Sequence, residues 1–535
     1  VSVDGVTVKD ESLAIAGEDV LIRHSLGVYG SGLHEVQIVH AGPAGARLFF
    51  DFVEAAIPAE YVPDIPADRT VTLATDWDTD HSLALAPERT AWLIYSLGFH
   101  GRVNHYVGAL WFYELIRQGH QYASIRVRFE GTPAFSEMTE IRIGSKRDPS
   151  QETVLSHLNT IGDTAETIAR AFGLLINSGS TAIWADVEEA WLTIYSRAMG
   201  VAGHDITVTA SPGDGAFRVV VEGEALHGGS DGAWRTDLQA VPRLNRAVRD
   251  WNRSFYRALK SYGLECTAAF SMELQHGDPS IEAGIAQRYP SGDPVLLNTP
   301  ALQTNFSPAS TDFWKEVYAE EARTMVAAGL RPYLQFGEVQ WWYFPQPGSG
   351  MPFYDDYTKA EFERRYGRTM AVIVSNDADP IVHASEAAHV ASLIGEFTEN
   401  VIQRVKSEFP ECRFEVLYPT DVNNYQFNRV ANYPSQHWTP DVLETLKTES
   451  FTFTFARNLD KALDTVRYPT QHGFPRHRQS FLVGVMDAST AWLKEIRLAK
   501  SEGVGSIVLW ALDQYCLIGL PVPLPPSSRR SFRVT

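Results

Sequence analysis

The sequence predicts an α/β fold: a (β/α)8 TIM barrel with an N-terminal β-rich segment and an α+β insertion after the second barrel strand. Three observations predict it. Beyond the Pro-rich stretch 58–66, short apolar runs alternate with long amphipathic stretches, the rhythm of a parallel sheet. That alternation repeats eight times, more than a doubly wound sheet needs. One segment, 121–233, breaks it with short alternating runs of its own. The chain has 535 residues, which allows three or four units at about 150 each, although one barrel often takes about 200–250.

Composition supports a folded chain and excludes several partners. It is 44% hydrophobic, 11% aromatic and 21% charged, enough apolar surface for a large core. Its 46 basic and 65 acidic residues give a net charge of −19. Nucleic-acid affinity comes mainly from neutralising phosphates, so a nucleic-acid partner is not expected, nor is an anionic membrane surface. No run approaches the ~18 apolar residues of a membrane span. Cys266, Cys412 and Cys516 lie far apart and form neither a disulfide framework nor a metal motif; Cys266 and Cys516 read as core.

Residues 1–66 show alternating runs at 1–6, 20–22, 34–39 and 47–53, bounded by Gly and Asp, which read as half-buried strands. Gly32-Leu33-His34-Glu35-Val36-Gln37-Ile38 followed by Phe49-Phe50-Asp51-Phe52 resembles the closing strands of β-sandwich modules appended to secreted glycosidases. A whole sandwich takes about 100 residues, so the natural protein is expected to extend upstream of Val1. A sugar-binding module and a small structural cap both fit this segment.

The barrel is expected over 67–120 and 234–520, with strands at 70–75, 101–106, 265–272, 332–336, 413–418, 450–455, 480–486 and 506–512. Helices fit between them. Leu244, Val248, Trp251, Phe255 and Leu259 share one face at helical spacing, as do Trp314, Val317, Tyr318, Met325 and Val326 before Gly329. Residues 491–500 form the helix before the last strand. The insertion 121–233 reads as strands at 124–130, 139–144, 182–187, 190–195, 205–210 and 216–221. Its helix starts at Asp163, with Glu166 three residues on, and carries Ile168, Phe172 and Leu175. This pattern resembles small modules repeated in phage tail and surface-display proteins. Residues 521–535 form a Pro-rich tail.

In such a barrel the chemistry lies at the C-terminal ends of the strands. Those positions hold Asp76 and Asp78, His105, Glu273, Glu338 with Trp341 and Trp342, Asp421 with Asn423 and Asn424, Asp487, and Trp510 with Asp513. Sugar rings present apolar C–H faces that lie on indoles, while their hydroxyls need carboxylate and amide partners. Hydrolysis of a glycosidic bond needs two carboxyl groups. A carboxyl beside two indoles is partly desolvated, which raises its pKa and suits it to donate a proton. These residues resemble the rim of clan A glycoside hydrolases, β-galactosidase-like and cellulase-like barrels. That resemblance implies Glu338 as general acid/base and Trp510 as part of a sugar subsite. The clan has Asn-Glu at strand four, where this chain has Gly337-Glu338. It has a Glu nucleophile at strand seven, where this chain offers Asp487.

Catalysis is therefore expected from Glu338, Asp487 and Glu273. Substrate contacts are expected from Asp76, Asp78, His105, Trp341, Trp342, Asp421, Asn423, Trp510 and Asp513. Several of these have plain structural uses: Asp487 could cap a helix, Glu273 could join an ion pair, and Asp421 with Asn423 could make a turn. No metal is expected: the acidic run from Asp76 fails as an EF-hand, with His81 at position six and Pro87 at position twelve. No cofactor is expected, since no Gly-x-Ser-x-Gly elbow, His-Glu-x-x-His motif, Walker A or dinucleotide fingerprint is present. The reading is a secreted or periplasmic glycoside hydrolase with a carbohydrate substrate. Its alternative is a non-catalytic carbohydrate-binding or phage-tail-like structural protein on a barrel scaffold.

Overall fold

A computed structural model describes residues 1–10, 25–27, 29–30, 33–43, 53, 69–76, 85–107, 113–148, 150–179, 182–297, 301–343, 348–484 and 489–512. The chain divides into two compact units. One comprises Val1–Glu114 and Thr236–Thr535, the other Leu115–Arg235.

The larger unit contains a closed barrel of eight parallel strands in chain order. They are Val71–Asp76, Val103–Tyr106, Cys266–Phe270, Tyr333–Phe336, Arg413–Pro419, Thr445–Glu449, Gln479–Val483 and Ser506–Leu509, called strands one to eight below. The eighth pairs with the first and closes the ring. Seven strands overlap the runs expected from sequence. The sixth does not: strand six is Thr445–Glu449, and the run at 450–455 begins the short helix Phe451–Phe455 instead. The Phe-Thr alternation there has β propensity, but tertiary contacts override it. Asp421 accepts from the Thr452 N–H at 2.6 Å, and the Thr454 hydroxyl donates to Ser450 O and Glu495.

Three of the helices start where the sequence supplies a cap. Asn245 accepts from Val248 N–H at the head of Arg246–Ser261. Ser307 precedes Pro308 at the head of Pro308–Ala327, and Asp355 caps Asp356–Tyr366. Val248, Trp251, Phe255 and Leu259 are buried as one face against the barrel. On the next helix Trp314, Val317, Tyr318 and Met325 are buried, while Val326 is 44% exposed and Ala322 takes the inner position. Cys266 and Cys412 are both in the core.

The chain leaves this unit and re-enters it at adjacent points. Tyr113 bridges Leu244, and Asp237 N–H donates to Glu114 O at 2.9 Å. Ends that close together let an insertion be accommodated without opening the barrel.

The smaller unit has two antiparallel sheets. Phe217–Val221, Leu115–Gly131, Trp191–Met199 and Ile183–Glu188 lie in that order, with Ser230–Thr236 also on Leu115–Gly131. Ile206–Ser211, Met138–Ser145 and Thr153–Leu158 form the second sheet. Phe129, Ile168, Phe172, Ile176, Leu192 and Ile194 fill the core under helix Ala165–Gly179. The cap of that helix differs from expectation. Thr164 and Thr167 each donate a backbone N–H to the other's hydroxyl, a reciprocal box one residue later than the Asp163–Glu166 pair. Asp163 instead holds the preceding turn through Thr160 N–H at 2.7 Å.

At the N-terminus Ser2–Val3, Val6–Thr7 and Val36–Gln37 form a three-stranded antiparallel sheet. The runs expected at 20–22 and at 47–52 lie outside the described residues.

Candidate active site at the barrel mouth

Side chains alternate across a strand, so parity decides which ones enter the barrel. Val103, Cys266, Leu334, Phe414, Leu446 and Phe481 lie in the outer core with the helices. Their neighbours Asn104, Thr267, Gln335, Glu415, Lys447 and Ser480 therefore point inward.

The barrel interior is filled with a buried polar network. Lys447 Nζ donates to Glu415 Oε1 at 2.7 Å and also to Asn104 and Gln335. Arg102 donates to the other oxygen of Glu415 at 2.7 Å and to Thr267. Burial alone would raise the Glu415 carboxyl, but Lys447 and Arg102 outweigh it and hold it below the usual range. Gln335 Nε2 donates to the Tyr106 hydroxyl at 3.0 Å, which links this layer to the mouth.

Glu338 stands just beyond strand four with φ 52°, the left-handed region that non-glycine residues rarely enter. Gly337 N–H is tied to Phe270 O at 2.8 Å, so the turn that aims Glu338 is held from strand three. Backbone strain of this kind clusters at functional sites. Burial raises the Glu338 pKa; the Tyr343 hydroxyl bound to it works the other way, and Asp421 adds to the rise. Asp421 is 7% exposed, and its two oxygens accept from Val422 N–H at 2.9 Å and Thr452 N–H at 2.6 Å. Glu449, at the end of strand six, is buried and lies in the field of Glu338 and Asp421. Trp510 meets Tyr106 edge-to-face at 4.5 Å, both partly buried at the same mouth.

The expected site residues divide clearly. Glu338, Asp421 and Trp510 come together here, and Trp342 stacks on Tyr343 at 5.1 Å. Glu273 heads the ribbon Glu273–Gln275 outside the barrel strands and is within the electrostatic reach of Tyr343. Three others do not reach the mouth. His105 has the outward parity of strand two: it is fully buried, its ring between Thr75 Oγ1 at 2.8 Å and Asn252 Oδ1 at 3.0 Å. Burial pushes its pKa down to about 4. Trp341 is fully buried, donates to Val390 O at 2.9 Å and packs on Phe306. Asn423 is buried among Gln340, Pro419 O and Asn432, where it holds loops together. Asp76 ends strand one in register with Tyr106. Asp78, Asp487 and Asp513 lie outside the described residues.

Glu449, Tyr343 and Tyr106 were missed by sequence reasoning. Moving strand six back five residues would have exposed Glu449, because Thr445-Leu446-Lys447-Thr448-Glu449 alternates and ends on an acid. Among the described residues no group of three His, Cys, Asp or Glu could hold a metal ion. No helix among them is long and apolar enough to cross a membrane.

Residues 226–519 match the family described as the TIM barrel of the non-contractile tail sheath protein. The chain belongs to this family. The match covers strands three to eight and thus most of this tail-sheath barrel. No curated protein matches the chain. Among solved structures it is similar to the catalytic domain of β-amylase from Paenibacillus polymyxa, at 12% identity and TM-score 0.35, covering 49% of this chain and 80% of that one. It is also similar to the PgaB (BpsB) glycoside hydrolase domain from Bordetella bronchiseptica, at 12% identity and TM-score 0.37, covering 48% and 74%. An exo-β-agarase aligns at 8% identity and TM-score 0.31, covering 74% and 86%. Likenesses this distant say nothing about activity.

Proposed function

We propose that this chain is a subunit of the sheath of a non-contractile phage tail. The observation that carries this reading is the family match over 226–519. Antibody raised against the barrel should decorate particles along the tail in electron microscopy. Label confined to the head, or absent from particles, would overturn it.

A second reading is favoured by the mouth itself: the barrel acts on glycosidic bonds of a polysaccharide or oligosaccharide, with Glu338 as proton donor. Glu338 is aimed by a strained turn, partly desolvated and raised in pKa, and Trp510 and Trp342 supply aromatic surface nearby. A carboxyl raised in pKa holds its proton to higher pH and can give it to a leaving sugar oxygen. Asp421, bonded to two backbone N–H groups, is suited to hold substrate hydroxyls. The test is a polysaccharide panel with reducing ends as readout. Glu338→Gln should lower kcat by about 10²–10⁴ and leave folding intact. Equal turnover by a folded E338Q protein would remove Glu338 from the reaction. A sheath subunit with a sugar-directed mouth needs no conflict between the two readings, since the first concerns assembly and the second one face of the barrel.

A further inference from the structure

We propose that Glu449 is the second catalytic carboxyl of the barrel mouth and works with Glu338 as one acid–base pair. This rests on the carbohydrate-hydrolysing reading above and names the residue that completes it.

The first argument is position. Glu449 closes strand six on the same parity as Lys447, so it points into the barrel at its C-terminal end. Strand five separates it from strand four, and adjacent strands lie about 4.8 Å apart. Glu338 and Glu449 thus approach the mouth from backbones about two strand spacings apart, near enough for the charge of Glu338 to act on Glu449.

The second argument is the state of the carboxyl. Glu449 is 3% exposed. Burial and the charges of Glu338, Asp421 and Lys447 act on its carboxyl. A carboxyl buried beside other carboxyls is costly to ionise. Groups perturbed in this way concentrate where chemistry uses them. The buried Glu415 shows the contrast lower in the barrel, level with Thr445, where Lys447 and Arg102 occupy both its oxygens.

The third argument is elimination among the facing groups. Asp421 has both oxygens held by backbone N–H groups, which fixes it in place. Tyr106 and Tyr343 are pushed far up by burial and keep their protons. Lys447 spends its donors on Glu415, Asn104 and Gln335. Glu273 belongs to the outer ribbon. Among the described residues at the mouth, the carboxyls that remain are Glu338 and Glu449. Burial raises both, Asp421 adds to each rise, and the charge of Glu338 adds to that of Glu449.

Hydrolysis requires one carboxyl of such a pair protonated and the other ionised. The proton on Glu338 passes to the glycosidic oxygen as the bond from that oxygen to the anomeric carbon breaks. Glu449, as carboxylate, takes a proton from a water molecule whose oxygen forms the new bond to the same carbon. The products are a sugar hemiacetal and a free hydroxyl. The proton gained by Glu449 returns to Glu338 through solvent, and no further reactant is needed.

The experiment compares the full chain with E449Q, E449D and E338Q on the polysaccharide panel, reading kcat, KM and the pH–rate profile. E449Q should lose about 10²–10⁴ in kcat with KM changed only a few-fold, and lose the acidic limb of its profile. E449D, which keeps a carboxyl, should fall between E449Q and wild type. E449Q removes a charge from a site that disfavours charge, so its melting temperature should equal or exceed that of wild type. A folded E449Q protein with wild-type kcat and both limbs intact overturns the proposal, and E338Q impaired beside it would leave the hydrolase reading standing. A wild-type chain that cleaves nothing on the panel overturns the hydrolase reading itself and Glu449 as catalyst with it.

Discussion

At the residue scale, the direction of a side chain mattered more than its chemistry. The position of Glu338 just beyond strand four was legible because Gly337-Glu338 follows a short, largely apolar run. His105 sits beside Tyr106 on strand two, and chemistry alone makes both rim candidates. Parity sends Tyr106 inward and His105 out against Trp251 at 5.6 Å. Behind His105, Asn252 bonds Glu321, which is fully buried and raised to about 7, chiefly by desolvation. A carboxyl whose folded pKa lies above its unfolded value binds more protons when folded, so stability falls as pH rises between the two values. Glu321→Gln removes that dependence. Relative to E321Q, wild type should lose about 3 kcal/mol between pH 4.5 and 7. Urea midpoints of both proteins across that range would check it, and parallel curves would show that Glu321 does not titrate there. The interior lysine makes a second case. Lys447→Met leaves Asn104 Oδ1 and Gln335 Oε1 without their donor and Glu415 with Arg102 alone. Removing one partner of a buried pair costs about 3–5 kcal/mol, so the urea midpoint should fall at unchanged slope.

At the element scale, the reading worked where hydrophobic period and caps agreed, and failed where they conflicted. Arg246–Ser261 has both, with Asn245 ahead of a face of Val248, Trp251, Phe255 and Leu259. The run 450–455 alternates Phe and Thr like a strand, yet folds as a helical turn because Asp421 and Glu495 bind its backbone and hydroxyl. That one shift concealed Glu449, since the strand end moved past it. The helix Ala165–Gly179 shows a smaller slip. Asp163 and Glu166 fit a capping pattern, but the reciprocal bonds run between Thr164 and Thr167. Thr164→Ala should therefore destabilise the smaller unit by about 1 kcal/mol. Glu166→Ala should change its melting by much less, because Glu166 makes only an exposed pair with Arg170 at 3.9 Å. Thermal melts of the two variants separate the assignments.

At the scale of the whole molecule, the barrel and its interruption were legible from rhythm alone, because eight repeats of strand and helix are hard to imitate by chance. What rhythm cannot supply is which strand ends face one another, and hence which carboxyls meet. The division of the chain does carry a consequence for folding. Each unit has its own apolar core, one built on the barrel and its helices and the other on Phe129, Phe172 and Leu192. The larger unit joins its own ends beside the insertion through Tyr113 with Leu244 and Glu114 with Asp237. Cores that are separate need not unfold together. Calorimetry of the full chain should resolve two transitions, and Phe172→Ala should lower one of them while leaving the other in place. Joining Glu114 to Thr236 through a short linker should delete that same transition and preserve the remaining one. It should also preserve whatever hydrolysis the full chain shows, since Glu338, Asp421 and Glu449 all come from the larger unit. A single transition in the full chain, shifted as a whole by Phe172→Ala, would show that the two cores are energetically one.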